Sequence, residues 1–295
     1  MLRPQRRSRG GGDIAKNCLP PETMLPAGRT FYKMSGSGND FVVIDATREA
    51  ADDLTAAATV QAICARATGI GADGLVLLQP SRSATFRMTY LNRDGSRADL
   101  CGNASLCSAR LASELGMLPP GEFSIETDAG VLGARLVGAA PEVDLQPVVD
   151  VRATLPFRLD AGERWIGFAQ AGVPHLVVRV DDVSTVDVAG RGRPLRHDPS
   201  LPDGANVNFV SLDASGGWRI RTFERGVEGE TLACGTGAVA SAVVLAVAGE
   251  AERRVAFTTR SGRVLSVRLE ESARGWIPSL SGEARMVFQG RLGEL

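Results

Sequence analysis

A chain of 295 residues is long enough for two domains, each with a core of its own. Hydrophobic residues make up 44% and charged residues 23%, and the formal net charge is −1, so no basic face invites nucleic acid or an acidic membrane surface. No run reaches the about 18 apolar residues of a membrane-spanning helix; the longest candidate, 238–248, has the length of a buried helix.

Residues 1–28 differ from the rest. Arg3, Arg6, Arg7 and Arg9 precede Gly10-Gly11-Gly12 and Pro20-Pro21 without periodicity. No apolar stretch follows the basic one, so a disordered basic tail is expected rather than a signal peptide. Strands are then expected over 41–45, 74–79 and 86–92, interrupted by a short helix over 60–67. A longer helix over 102–115 is stopped by Gly116 and Pro119-Pro120. Strands resume over 123–127 and 131–137. The second half repeats this order: strands over 176–180, 207–211 and 218–223, then a helix over 235–248 ended by Gly249. A hairpin of 255–259 and 264–269 follows, turning at Ser261-Gly262. Strands, a long helix and more strands, twice over, imply an internal duplication.

Both long helices open on a cysteine. Cys101 stands in Leu-Cys-Gly-Asn-Ala-Ser and Cys234 in Ala-Cys-Gly-Thr-Gly-Ala. A thiol at such a place meets unpaired backbone N–H groups and the positive end of the helix dipole, which favour the thiolate. Two matching sites suggest a base and an acid placed around one substrate carbon. A dithiol redox protein, cycling Cys101 and Cys234 through a disulfide, is an alternative from another class, although no Cys-X-X-Cys motif is present. A non-catalytic amino-acid-binding module would need neither thiol. The five cysteines are an odd, widely spaced set in a chain too large to need disulfide staples, which suits a reducing, cytoplasmic setting. Cys64 and Cys107 read as core residues and Cys18 as part of the tail. The two histidines, His175 and His197, make no ligand pattern with the cysteines, so no metal site is expected.

Five segments carry a resemblance. They are 33–41 (Lys-Met-Ser-Gly-Ser-Gly-Asn-Asp-Phe), 69–74 (Gly-Ile-Gly-Ala-Asp-Gly), 92–95 (Asn-Arg-Asp-Gly), 100–103 (Leu-Cys-Gly-Asn) and 224–238 (Glu-Arg-Gly-Val-Glu-Gly-Glu-Thr-Leu-Ala-Cys-Gly-Thr-Gly-Ala). In order and spacing they resemble diaminopimelate epimerase, over about residues 31–292. The resemblance implies an α/β (α+β) fold of two pseudo-symmetric domains, each a β-barrel-like sheet around a central helix. The domains would be 29–146 plus 283–295, carrying Cys101, and 147–282, carrying Cys234. The active site would lie in the cleft between them, with closure excluding water.

The same resemblance implies a cofactor-independent isomerase that interconverts LL- and meso-2,6-diaminopimelate, a step toward lysine and peptidoglycan precursors. Cys101 and Cys234 would be the catalytic pair. The backbone N–H groups of Gly102, Asn103, Gly235 and Thr236 would grip the α-carboxylate. Asn39, Asn92 and Asn206 match asparagines that bind substrate, whereas the neighbouring Asn208 reads as structural. Arg225 matches the clamp on the distal carboxylate. Glu224 matches a glutamate near the substrate amino group and a thiol, and His175 a histidine that tunes a cysteine. The partner would be a small amino-acid substrate, with neither nucleic acid nor membrane, and the assembly a homodimer. Val173 stands where the family commonly has a substrate-contacting asparagine, Ala104 replaces a glycine, Leu106 an arginine and Ser35 a histidine. Gly74 takes the place of a glutamine found in some members. The missing amide at Val173 leaves a racemase of the same scaffold with another amino-acid substrate as the nearest alternative.

Overall fold

The computed structural model describes residues 28–119 and 121–293. The tail expected over residues 1–28, with Cys18, lies outside them but for Gly28.

In the first half, β1 (Thr30–Gly36) and β2 (Asn39–Asp45) form a hairpin, and β2 runs parallel to β3 (Gly74–Gln79). Strand β3 is antiparallel to β4 (Phe86–Asn92), which bears the short β5 (Arg97–Ala98) and runs parallel to β6 (Phe123–Thr127). A meander of β6, β7 (Gly130–Val137) and β8 (Ala140–Asp144) completes it. The second half repeats the pairings. After the short β9 (Val151–Arg152), β10 (Glu163–Ala171) is antiparallel to β11 (Val173–Val180), and β11 is parallel to β12 (Asn206–Leu212). Strand β13 (Trp218–Glu224) is antiparallel to β12, bears the short β14 (Gly229–Thr231) and runs parallel to β15 (Arg254–Thr258). Strands β15, β16 (Val264–Ser272) and β17 (Gly275–Gly282) meander in turn. Finally β18 (Arg285–Arg291) returns to pair with β1, and β17 pairs with β8 across the two halves.

The side-chain pattern explains this layering. Strands β2 and β3 are almost continuously apolar because both of their faces are covered. Val42, Ile44, Leu75 and Leu77 pack outward against helix α1 (Ala57–Cys64). Phe41, Val43, Val76 and Leu78 face inward on α2 (Gly102–Glu114). In the second half Leu176, Val178, Val207 and Phe209 pack against α3 (Val188–Arg196), and Val177 and Val210 face α4 (Gly235–Val247). The long helices are enclosed on nearly every side; Ala238 to Leu245 are all buried. Small residues and valines suit a helix with no exposed face.

The expected helix over 60–67 is displaced: α1 spans Ala57–Cys64. Ala65 is extended, and the Ile70 and Gly71 N–H groups fold back onto Ile63 O, which ends the helix early. Gly71 has φ +77, a conformation that favours glycine. Helix α3 has no signal in the sequence, because it contains Gly190, Gly192 and Pro194. Asp187 caps it by accepting from Gly190 N at 2.9 Å, and Gly192 lies against Phe223 with no room for a Cβ.

Candidate active site

Cys101 is the N-cap of α2 at φ −136, ψ 113, and Cys234 is the N-cap of α4 at φ −133, ψ 112. Their carbonyls accept the first helical bonds from Ser105 N and Ala238 N, so both side chains leave the backbone in the same way. The two helix starts abut. A Cβ on Gly235 would lie 3.8 Å from Gly102 Cα, and Leu280 Cδ2 closes on both glycines, at 2.8 Å from Gly102 and 3.0 Å from Gly235 by the same measure. Two sets of unpaired N–H groups and two positive dipole ends therefore converge on one place, an arrangement suited to an anion.

Both cysteines are free and keep partial access to solvent. Burial of the sulfur pushes the Cys101 thiol up to about 11, while the N–H groups of Ala104 and Asn103 pull it back. Burial pushes Cys234 up to about 12, against the pull of the Thr236 hydroxyl, 3.5 Å from Sγ, and of Gly237 N–H. The negative charge of Glu224 raises both. The helix start is thus one of two opposing effects. The helix starts do favour the thiolate, but desolvation outweighs them, so both sulfurs carry protons at neutral pH in the free chain. Glu224 is itself raised by burial, with Asp73 adding to the shift.

A cavity of about 450 Å³ opens beside this centre, lined from the first half by Asn92 and from the second by Asn206, Glu224, Arg225 and Thr236. Asn206 Oδ1 accepts from Arg225 N at 2.7 Å, and Arg225 Nη1 donates to Asp203 O at 2.9 Å, which fixes the base of the arginine. Asn39 and Asn103 stand together on another side. Asn103 Nδ2 donates to Asn39 Oδ1 at 2.7 Å, and Asn39 Nδ2 donates to Asp73 Oδ2 at 3.1 Å. Asp73 is held in turn by Arg66 at 2.6 Å. The relay turns Asn103 Oδ1, buried and without a partner among the described residues, to 3.6 Å from the Cβ place on Gly235. His175 does not line the cavity; it is fully buried in β11, and burial pulls it down to about 3, so the ring is neutral.

A family model described as diaminopimelate epimerase matches residues 31–149 and 167–287. A diaminopimelate epimerase from Gemmatimonas aurantiaca is 47% identical over 277 residues, 90% of this chain and 100% of that protein. The chain belongs to the diaminopimelate epimerase family. A second relative of that name, from Aquifex aeolicus, is 40% identical over 90% of this chain and 98% of its own length. Among solved structures, a Bacillus anthracis phenazine biosynthesis protein of the PhzF family has a TM-score of 0.69 at 16% identity, covering 90% of this chain and 98% of its own. A probable proline racemase from Agrobacterium radiobacter has a TM-score of 0.64 at 18% identity, covering 90% and 93%. These two share the fold, an α+β architecture in two domains.

Three departures from the diaminopimelate epimerase pattern now have physical accounts. Val173 lines the cavity as an apolar wall beside Asn206. At Gly74 a Cβ would fall 2.5 Å from Tyr90 Cε2 and 2.6 Å from Leu91 O, so a larger residue there would need β4 to move. Gly237 has no room for a Cβ because Asn208 Oδ1 lies against it, whereas Ala104 is accommodated at the matching place in α2. Sequence reasoning missed Asp73, Arg66 and Leu280. Asp73 sits inside a quoted motif, which was its only signal. Leu280 is one apolar residue among many in a late strand, and only the tertiary contact singles it out.

Proposed function

We propose that this chain interconverts LL-2,6-diaminopimelate and meso-2,6-diaminopimelate by a two-thiol acid–base step, supplying lysine and cell-wall precursor synthesis. The observation that carries the reading is the pair of cysteine N-caps of matching geometry on two abutting helix starts. The substrate α-carboxylate binds the N–H groups of Gly102, Asn103, Gly235 and Thr236, and Asn103 Oδ1 is an acceptor near the same place. One sulfur, as thiolate, takes the Cα proton and becomes a thiol. The electron pair of that bond moves toward the carboxylate, where the converging dipoles stabilise the developing charge. The other sulfur gives its proton to the opposite face and becomes the thiolate, so the roles exchange with direction. Because both thiols are protonated in the free chain, one proton must leave first, and Glu224, made more basic by its burial, is the acceptor at hand. Asn92, Asn206 and Arg225 hold the distal amino-acid head. Asn39 supports Asn103, and His175 acts from beneath α4.

Reduced protein, with no added cofactor, is expected to exchange the α-proton of LL-diaminopimelate for solvent deuterium while forming the meso isomer. Inversion without deuterium uptake, or turnover of proline, histidine or glutamate in place of diaminopimelate, would overturn this assignment. The same reading includes a cytoplasmic location, the domain division 29–146 plus 283–295 against 147–282, and a homodimer. The pairing of β18 with β1 supports that division. For the dimer, β18 pairs on one side only among the described residues and leaves Val287 and Phe288 46% and 47% exposed. Light scattering is expected to give twice the chain mass of 31.1 kDa, and a monomer mass would rule the dimer out.

A further inference from the structure

The repeated topology allows the two halves to be compared position by position. In the first half Phe41 lies beside Gly74, and Val76 beside Tyr90. In the second half the same ladders place His175 beside Asn206, and Asn208 beside Thr222. The inward cluster of Phe41, Val76 and Tyr90 thus corresponds to His175, Asn208 and Thr222. Both clusters are buried against a central helix, and Phe41 and Tyr90 pack edge to face. Packing is satisfied by the apolar set in one half. A polar set in the other carries a desolvation cost that packing does not explain.

The bonds within the polar set define its chemistry. Thr222 Oγ1 donates to Asn208 Oδ1 at 3.0 Å, and Asn208 Nδ2 donates to Leu176 O at 2.9 Å. A carbonyl can only accept, so the Asn208 amide cannot be turned over. Its second Nδ2 hydrogen meets His175 Nδ1 at 3.2 Å. An amide NH2 does not accept, so Nδ1 must carry the lone pair and the ring proton must sit on Nε2. That Nε2–H is buried and has no partner among the described residues. A buried donor left unpaired is costly, and the Asn208 that fixes it also touches Gly237 in the first turn of α4.

We propose that Asn208 is a positioning residue that locks His175 in the neutral Nε2–H form, so that the ring presents a donor and not a lone pair at Nε2. This rests on the two-thiol reading, but its test does not depend on turnover. The chain has only two histidines, and His197→Gln removes the second signal. In 15N-histidine-labelled protein, NMR is expected to show His175 with a bare Nδ1 and a protonated Nε2. In Asn208→Asp, a carboxylate that accepts and cannot donate faces Nδ1, and the proton is expected at Nδ1. The kcat should fall about 10²-fold with KM little changed. Asn208→Leu keeps the size but removes the amide that faces Nδ1, and it is expected to give a mixture of the two ring forms even if the aspartate variant does not fold. A wild-type ring protonated at Nδ1, or a ring unchanged from wild type in whichever variants fold, would overturn the proposal. If the ring form responds while no variant, nor the wild type, turns over diaminopimelate, the lock stands and the substrate assignment fails.

Discussion

Alanine at either Cys101 or Cys234 is expected to abolish net epimerisation, lowering kcat by about 10³-fold or more. The substitution isolates the chemistry because neither sulfur caps its helix: no side-chain cap bond is made at either position. The cap carbonyls still receive Ser105 N and Ala238 N, so the helix starts should persist. Thermal midpoints within a few degrees of wild type would confirm an intact fold. The measurement is interconversion of the LL and meso isomers for each single variant. Turnover at the wild-type rate in either one would show that a single thiol suffices, and the two-face mechanism would fall.

Arg225→Ala should have the next largest effect. The guanidinium is anchored through Nη1 to Asp203 O, and the backbone N–H is anchored to Asn206. Among the described residues, Nε and Nη2 donate to no protein group, which leaves a fork for a carboxylate at the cavity wall. Removing one partner of such a charge-assisted pair costs about 3 kcal/mol. That is about 10²-fold in kcat/KM, appearing mainly in KM. Lysine keeps the distal amine but lacks the second carboxylate, so its weak binding should barely respond. Equal losses for both ligands would show that Arg225 supports the fold and not the distal head.

Much of this was legible in the chain because it is written in short-range pattern. The two long helices are opened by Cys-Gly and closed near Gly116 and Gly249, so their bounds agree with the structure to within a residue or so. Inward and outward strands were visible as apolar runs. Helix α3 was not, because Gly190, Gly192 and Pro194 are poor helix formers, and the packing of Gly192 on Phe223 compensates. Strands β1, β10, β17 and β18 were hidden by mixed composition, and their partners come from distant parts of the chain. The thiol state could not be read from the helix start alone, because a helix start is a local feature, whereas desolvation is set by everything packed around it. Asn208 reads in the sequence only as a structural neighbour of Asn206, because its partners Thr222 and His175 come from other strands.

The ladder between β8 and β17 carries one further meaning. Leu280, which wedges between the helix starts, is paired in that ladder with Val143, and its neighbours Ser279 and Ser281 pair with Asp144 and Glu142. Ser279 Oγ donates to Asp144 at 2.6 Å, and Arg268 reaches across to Glu142 at 2.9 Å. The β1–β2 turn adds a second tie, with Ser261 Oγ donating to Ser37 O at 2.9 Å. The halves are therefore laced like two pages of one binding. The two helix starts, with Leu280 between them, thus stand on the edge along which the halves are tied. Backbone pairing at that edge resists a change in the distance between the two helix starts, on which a proton leaving one face of a carbon and returning to the other would depend.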